Sequence, residues 1–169
     1  MNRSVKIFGT KNTQEKPDRS LYGCCEGIAI DLKDSDDDIV SSGILGEGFA
    51  VFPRYENVKS LTGGYVVEIS SPVKGRVVDI THKPEVIILK NDDGLKVLVS
   101  FVAFSGSQVY STVRCGDDIS AGDHIADLKL EENNDKAVFV IVENSDSLEN
   151  FEIYKGKTSP GKPAAQYEL

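Results

Sequence analysis

The sequence predicts an all-β fold, and three observations carry that prediction. Residues 95–101 alternate, with Leu95, Val97, Val99 and Phe101 apolar and Lys96, Leu98 and Ser100 between them. A period of two buries the first set on one face of a strand and turns the second to the other face. Just upstream, Asp93-Gly94 supplies the left-handed turn geometry of a tight hairpin. Further on, Gly116-Asp117 and Gly122-Asp123 each precede an isoleucine two positions beyond the aspartate, a repeat of tight turns that feed short strands in sandwich-like β-domains.

Taken in order, residues 1–21 are polar and expected to form a mobile arm. Within that arm, Val5, Ile7 and Phe8 either dock as a short strand or bind a partner. Residues 27–32 read as a strand that breaks at Asp34, Asp36, Asp37 and Asp38. These aspartates lack the central glycine and terminal glutamate of a twelve-residue calcium loop, so they read as a solvated turn or helix start. In residues 43–53 two glycines, Gly46 and Gly48, flank Glu47 ahead of an apolar strand that ends at Pro53. Without a following helix and a lysine in register they are no phosphate loop, and they suit a bulge or a close backbone crossing.

After the polar segment 54–64, strands are expected over 75–80, 85–89 and 95–101. Apolar residues 101–104 then run into Ser105-Gly106-Ser107. Residues 131–135 read as an exposed loop and 136–142 as a buried strand. Asp146 and Glu149 have capping-box spacing, which predicts a short helix reaching Phe151 or Tyr154. Proline and small residues in 157–166 predict a loose tail. The expected organisation is an arm over 1–21, a β-domain over 22–158 and a tail over 159–169.

The 169 residues suit one domain, with 40% hydrophobic and 27% charged residues typical of soluble globular chains. A formal charge of −8 argues against nucleic-acid binding, which needs a dense positive stripe. The apolar run 137–142 is far short of the ~20 residues of a membrane helix. No secretory leader is evident at the start, so no direct membrane insertion and a cytoplasmic location are expected. Cys24, Cys25 and Cys115 read as reduced thiols. With only His82 and His124 to complete a ligand set, neither a metal nor a cofactor is expected.

The landmarks then fall in a specific order: the Gly27 strand, the Gly46-Glu47-Gly48 turn with its strand to Pro53, Pro72-Val73-Lys74-Gly75, the strand leading to Asp93-Gly94, and Val97-Leu98-Val99-Ser100-Phe101. Residues 113–128 and 138–144 complete the series. Over about 24–158 this order resembles the glucose-class enzyme IIA domain of the bacterial sugar phosphotransferase system. The resemblance implies a compact, mostly antiparallel β-sandwich or barrel, the duplicated hybrid motif, with at most one or two short helices. It also implies protein partners: the phosphocarrier protein, a IIB domain or a sugar permease.

In that family one histidine accepts a phosphoryl group and a second supports it, because imidazole is nucleophilic near neutral pH and its phosphoramidate transfers readily. The accepting position, six residues after Gly94, falls on Ser100. The supporting position, ten after Gly75 and nine before Gly94, falls on Glu85. A family acid falls on Phe104, and the segment between Pro53 and Pro72 is longer than usual.

Serine needs a base for activation, and its phosphate ester is too stable to pass on. A carboxylate beside an incoming phosphoryl group repels it. These substitutions point to a degenerate relative that binds partners, with Glu85 giving the pocket a fixed negative charge. The expected binding surface comprises Lys96, Leu98, Ser100, Glu85, Phe104, Ile39 and Leu45.

The alternatives are a phosphocarrier that uses His82 or Ser100, a biotinyl or lipoyl carrier with Lys90 near its hairpin tip, and a zinc peptidase-like hydrolase. The carrier reading suffers because Lys90 is flanked by Leu89 and Asn91 instead of Met or Asp. The peptidase reading suffers because His82 and His124 lie 42 positions apart.

Overall fold

The structure, a computed structural model, describes residues 18–55, 61, 63–104, 108–132 and 134–169. Val5, Ile7 and Phe8, most of the expected arm, much of the 54–64 segment and Ser105-Gly106-Ser107 lie outside the described residues. The remainder folds into three sheets in which every strand pairing is antiparallel, with no closed barrel. The largest sheet has the order β13 (Gly156–Thr158), β2 (Gly27–Asp31), β3 (Glu47–Pro53), β11 (Val138–Val142), β7 (Lys96–Ser100), β6 (Val86–Asn91), β5 (Gly75–Ile80) and β9 (Asp118–Ile119). A second sheet has the order β4 (Tyr65–Ser70), β10 (His124–Leu130) and β8 (Gln108–Ser111). The third joins β1 (Ser20–Tyr22), β14 (Pro163–Glu168) and β12 (Asn150–Ile153).

The period of two sorts the large sheet into two faces. Phe49, Val51, Val140, Val97, Val99, Ile87 and Leu89 all turn inward and are fully buried. There they meet Val67, Ile69, Ile125 and Leu128 of the second sheet and Leu21, Ala165 and Tyr167 of the third in one core. The other face carries the register rows Ile30, Ala50, Phe139, Ser100 and Val86, and Gly48, Ile141, Leu98 and Ile88. Leu32 and Val40 cover the middle of this outer face, forming a smaller cluster with Ala50, Phe139 and Ile141. They arrive on a 3-10 turn (Leu32–Asp34) and the helix α1 (Asp38–Ser41). The aspartate run caps that helix, since Asp37 Oδ1 accepts the Ile39 and Val40 N–H groups at 2.9 and 3.1 Å.

The turns follow the residues that predicted them. Gly94 has φ +85°, and Asn91 Oδ1 accepts the N–H groups of Asp93 and Leu95 at 3.0 and 2.9 Å. In the Gly-Asp repeat, Asp117 and Asp123 close equivalent turns by accepting the Arg114 and Ser120 N–H groups at 2.9 and 2.8 Å. A second device also occurs twice. Ser71 Oγ donates to Val73 C=O at 2.7 Å, and Ser111 Oγ donates to Val113 C=O at the same distance.

Three expectations are corrected. The loose tail over 159–169 is instead β14, which lies between β1 and β12 and buries Ala164, Ala165 and Tyr167. Its flanking prolines and glycine suggested looseness, but the alternation within 163–168 fits a strand. The arm does not extend to residue 21, because β1 pairs with β14 and Leu21 is fully buried. The helix over 146–154 is replaced by a 3-10 turn (Ser145–Ser147) and β12. Leu148 already has extended backbone, and Phe151 and Ile153 pack on the core in strand alternation. Tertiary pairing with β14 overrides the local capping signal.

Tyr167 ties this third sheet to the central hairpin. Its hydroxyl donates to Asp93 Oδ2 at 2.6 Å and accepts from Asn91 Nδ2 at 2.9 Å, while Arg19 Nε stands 3.6 Å from the same carboxylate. Burial, and then the Asp93 carboxylate, push the Tyr167 phenol well above its usual range. The folded state therefore favours the protonated phenol. Its stabilising effect is fully present below the unfolded tyrosine pKa of about 10 and is lost as pH rises toward the folded value. Unfolding free energy measured by urea titration is expected to fall above about pH 10 by up to ~1.4 kcal/mol per pH unit for this residue. Tyr167→Phe should flatten that fall, and an unchanged slope in the variant would contradict the assignment.

Candidate functional site

The β6–β7 hairpin places Ser100 directly opposite Val86, while on its other side Ser100 faces Phe139 of β11. Between two apolar neighbours it is only 5% exposed. Its Oγ accepts a long contact from the Val102 N–H at 3.5 Å, and no histidine or carboxylate among the described residues hydrogen-bonds to it. A hydroxyl so placed has no base to deprotonate it.

Glu85 stands one residue before β6, and its carbonyl accepts the Phe101 N–H at 2.7 Å. The loop before it is built on Thr81. Thr81 Oγ1 accepts the N–H groups of Glu85 and Val86, both at 3.1 Å, and donates to Lys83 C=O at 2.8 Å. This side-chain scaffold sets Glu85 on the lip of a cleft of about 530 Å3. His82 shares that lip, Phe101 and Phe104 line the interior, and Gln108 and Tyr110 of β8 stand opposite. Tyr110 donates its hydroxyl proton to Gln108 Oε1 at 2.8 Å. The Glu85 carboxylate has no ion-pair partner among the described residues, and Lys83 lines the same cleft.

Glu85, Phe104 and His82 are thus brought together, with Ser100 on the adjoining strand but on the outer face of the sheet. Phe104 is 4% exposed and closes a turn by donating its N–H to Phe101 C=O at 2.9 Å. Lys96 is four residues along β7 from Ser100, roughly 13 Å at strand rise, and is held by Glu143 at 2.8 Å. It belongs to the hairpin end and not to the cleft. Leu98 lies between them, half-buried against the smaller cluster. Ile39 and Leu45 are 62% and 40% exposed near that cluster's cover, with Ile44 and Val102 exposed as well.

Other candidate residues are placed elsewhere. His124 opens β10, with Nε2 2.8 Å from Asp127 Oδ1. Lys90 lies next to the end of β6, opposite Lys96 and close to the hairpin turn. Cys24 and Cys25 are free and buried, and the side-chain hydrogen bond with Cys24, and then burial, push the Cys25 thiol up. Among the described residues, no three His, Cys, Asp or Glu side chains converge to hold a metal ion. No helix among them is long and apolar enough to cross a membrane. Tyr110 and Gln108 carry no signal in the sequence, and Val102 shows only as part of the apolar run 101–104.

Residues 19–148, the hairpin and its cleft included, match the family model described as phosphoenolpyruvate-dependent sugar phosphotransferase system, EIIA 1. The chain belongs to this enzyme IIA family. Glucose-specific EIIA components of the phosphotransferase system are similar to it along most of their length. The one from Staphylococcus aureus is 31% identical over 157 residues, covering 88% of this chain and 87% of the relative. The one from Staphylococcus epidermidis is 30% identical over 156 residues, with the same coverage. The solved glucose permease IIA from Mycoplasma capricolum superposes with a TM-score of 0.66 at 19% identity, covering 89% of this chain and 96% of that one. At that identity the superposition shows the fold. The enzyme IIA fold accounts for the mostly antiparallel sheets and the near absence of helix.

Proposed function

We propose that this enzyme IIA component does not carry phosphate and acts in the cytoplasm as a regulatory, partner-binding protein of the sugar phosphotransferase system. The observation that carries this reading is the buried Ser100 hydroxyl, flanked by Val86 and Phe139 with no base beside it, at the position where the family resemblance puts the phosphoacceptor histidine. The Glu85 carboxylate stands at the supporting position and presents negative charge to a phosphoryl donor. The same charge imitates a phosphorylated relative, and the surrounding face supplies apolar contact through Leu98, Ile39 and Leu45. A partially covered apolar face flanked by charge is the usual composition of a protein interface. The phosphocarrier protein, a IIB domain or a sugar permease is the expected partner.

Incubation with phosphoenolpyruvate, enzyme I and the phosphocarrier protein tests the reading. The expected result is no acid-labile phosphate on the chain, with Ile39→Asp weakening partner binding by about tenfold for the loss of one interface anchor. Glu85→Gln is expected to weaken it as well, and unchanged affinity would remove the charge-mimic component. Stoichiometric acid-labile phosphate would overturn the proposal. One observation favours a second reading in that event, since His82 shares the cleft with Glu85. Phosphate lost in His82→Gln would identify a relocated acceptor.

A further inference from the structure

A second cleft, of about 880 Å3, opens where β13, β2 and β3 meet at the far edge of the large sheet. Its size lies within the range of small-molecule sites. Its apolar wall is built by register. Ile28 of β2 stands opposite Phe52 of β3, and both face outward beside Tyr55. The Tyr55 ring is braced edge-on by Tyr65, with centroids 5.1 Å apart and planes at 71°, which fixes its orientation.

The rim has the opposite character. Lys157 of β13 stands opposite Ile28, and Lys162 reaches over to donate to Lys157 C=O at 3.0 Å. Arg54 lies in the same lining, its guanidinium paired with Glu26 at 3.8 Å. Two further lysines thus share this rim, on a chain whose formal charge is −8. Two neighbouring lysine ammoniums without an ion-pair partner among the described residues point to an external anion. The Ser159 hydroxyl and the Thr158 side chain stand in the same lining.

We propose that this cleft binds a phosphate monoester carried on a planar ring, of the nucleoside monophosphate class. The phosphate sits between Lys157 and Lys162, matching the point-charge donors those side chains offer. The ring packs on Tyr55, Ile28 and Phe52. This wall favours a planar base over a hexose, whose ring hydroxyls would lose water against Ile28 and Phe52 without gaining partners. The site is separate from the Glu85 cleft, since β11 lies between β3 and the β7–β6 hairpin. The proposal therefore stands whether or not the chain carries phosphate.

Titration of the full chain with AMP, followed by calorimetry and amide chemical shifts, provides the test. AMP is expected to bind saturably and to shift the amides of Ile28, Tyr55 and Lys157. Adenosine and inorganic phosphate should each bind at least about tenfold more weakly, since each lacks half of the recognised chemistry. The double variant Lys157→Ala, Lys162→Ala should lose about tenfold or more in AMP affinity while its melting temperature stays unchanged, both side chains being exposed. Inorganic phosphate binding as tightly as AMP would reduce the cleft to a charge patch and overturn the proposal. So would tighter binding of glucose 6-phosphate than of AMP, binding of an acidic peptide alone, no saturation by AMP, or an affinity untouched by the double variant.

Discussion

Deleting residues 159–169 is expected to leave the chain unable to fold. The deleted segment contains β14, the middle strand of its sheet, so its loss strips pairing from both β1 and β12. Four further backbone hydrogen bonds go with it: Gly23 to Lys162 (2.9 Å), Glu149 to Glu168 (2.9 Å), Tyr154 to Ala164 (2.9 Å) and Tyr167 to Arg19 (2.9 Å). Ala164, Ala165 and Tyr167 leave the core, which exposes Leu21 beneath them. Losing one buried aromatic alone costs about 3–5 kcal/mol, a large part of the 5–15 kcal/mol that stabilises a typical domain. Circular dichroism and amide dispersion of the truncated chain check this. A folded truncation with an unchanged melting temperature would show that the third sheet is dispensable.

Gly48→Ala is expected to be nearly as damaging, through a different cause. Gly48 lies in β3, flanked by β2 and β11, and a Cβ built there stands 2.0 Å from Val140 C=O, 2.9 Å from Leu32 Cδ1 and 3.0 Å from Ile141 Cα. Two of those three atoms are backbone, so relief requires β3 and β11 to part, at the centre of the large sheet. A cost above about 4 kcal/mol is expected, in the range reserved for severe core disruption. Gly43→Ala makes a useful contrast. Gly43 has open space around it and φ +81°, so only the left-handed backbone is strained, at about 1–2 kcal/mol. Equal losses in denaturant titrations of the two variants would refute the steric account of Gly48.

The candidate site shows how far spacing reaches. Counting from Gly75 and Gly94 gives the expectation that Ser100 stands at the phosphoacceptor position and Glu85 at the supporting one. In the structure the same two residues are joined through the Phe101 N–H bonded to Glu85 C=O at 2.7 Å. Antiparallel pairing makes such a count meaningful, because the turn fixes the register of everything that follows it. The count did not reveal that Ser100 is buried between Val86 and Phe139, for Phe139 comes from a strand some forty residues later. Nor did it show that Lys96, although on the same face as Ser100, is remote from the cleft and paired with Glu143.

The cationic cleft was less legible still. Arg54 lies about a hundred residues of chain before Lys157 and Lys162, and none sits in a motif. They meet because β13 pairs with β2 and β2 with β3.

What the sequence determined by itself is local and periodic. The 95–101 alternation, the Asp93-Gly94 turn, the Gly-Asp repeat and the buried 138–142 strand each follow from neighbours within a few residues, and the order of these landmarks identified the family. Only the tertiary structure decided the fate of the ends and the composition of the sites. Residues 163–168 became a core strand, 150–153 a strand in place of a helix, and Ser100 a buried hydroxyl. Each outcome depends on a partner far away in the chain, and the free energy of burying apolar surface between distant strands outweighs the small local preferences that the sequence displays.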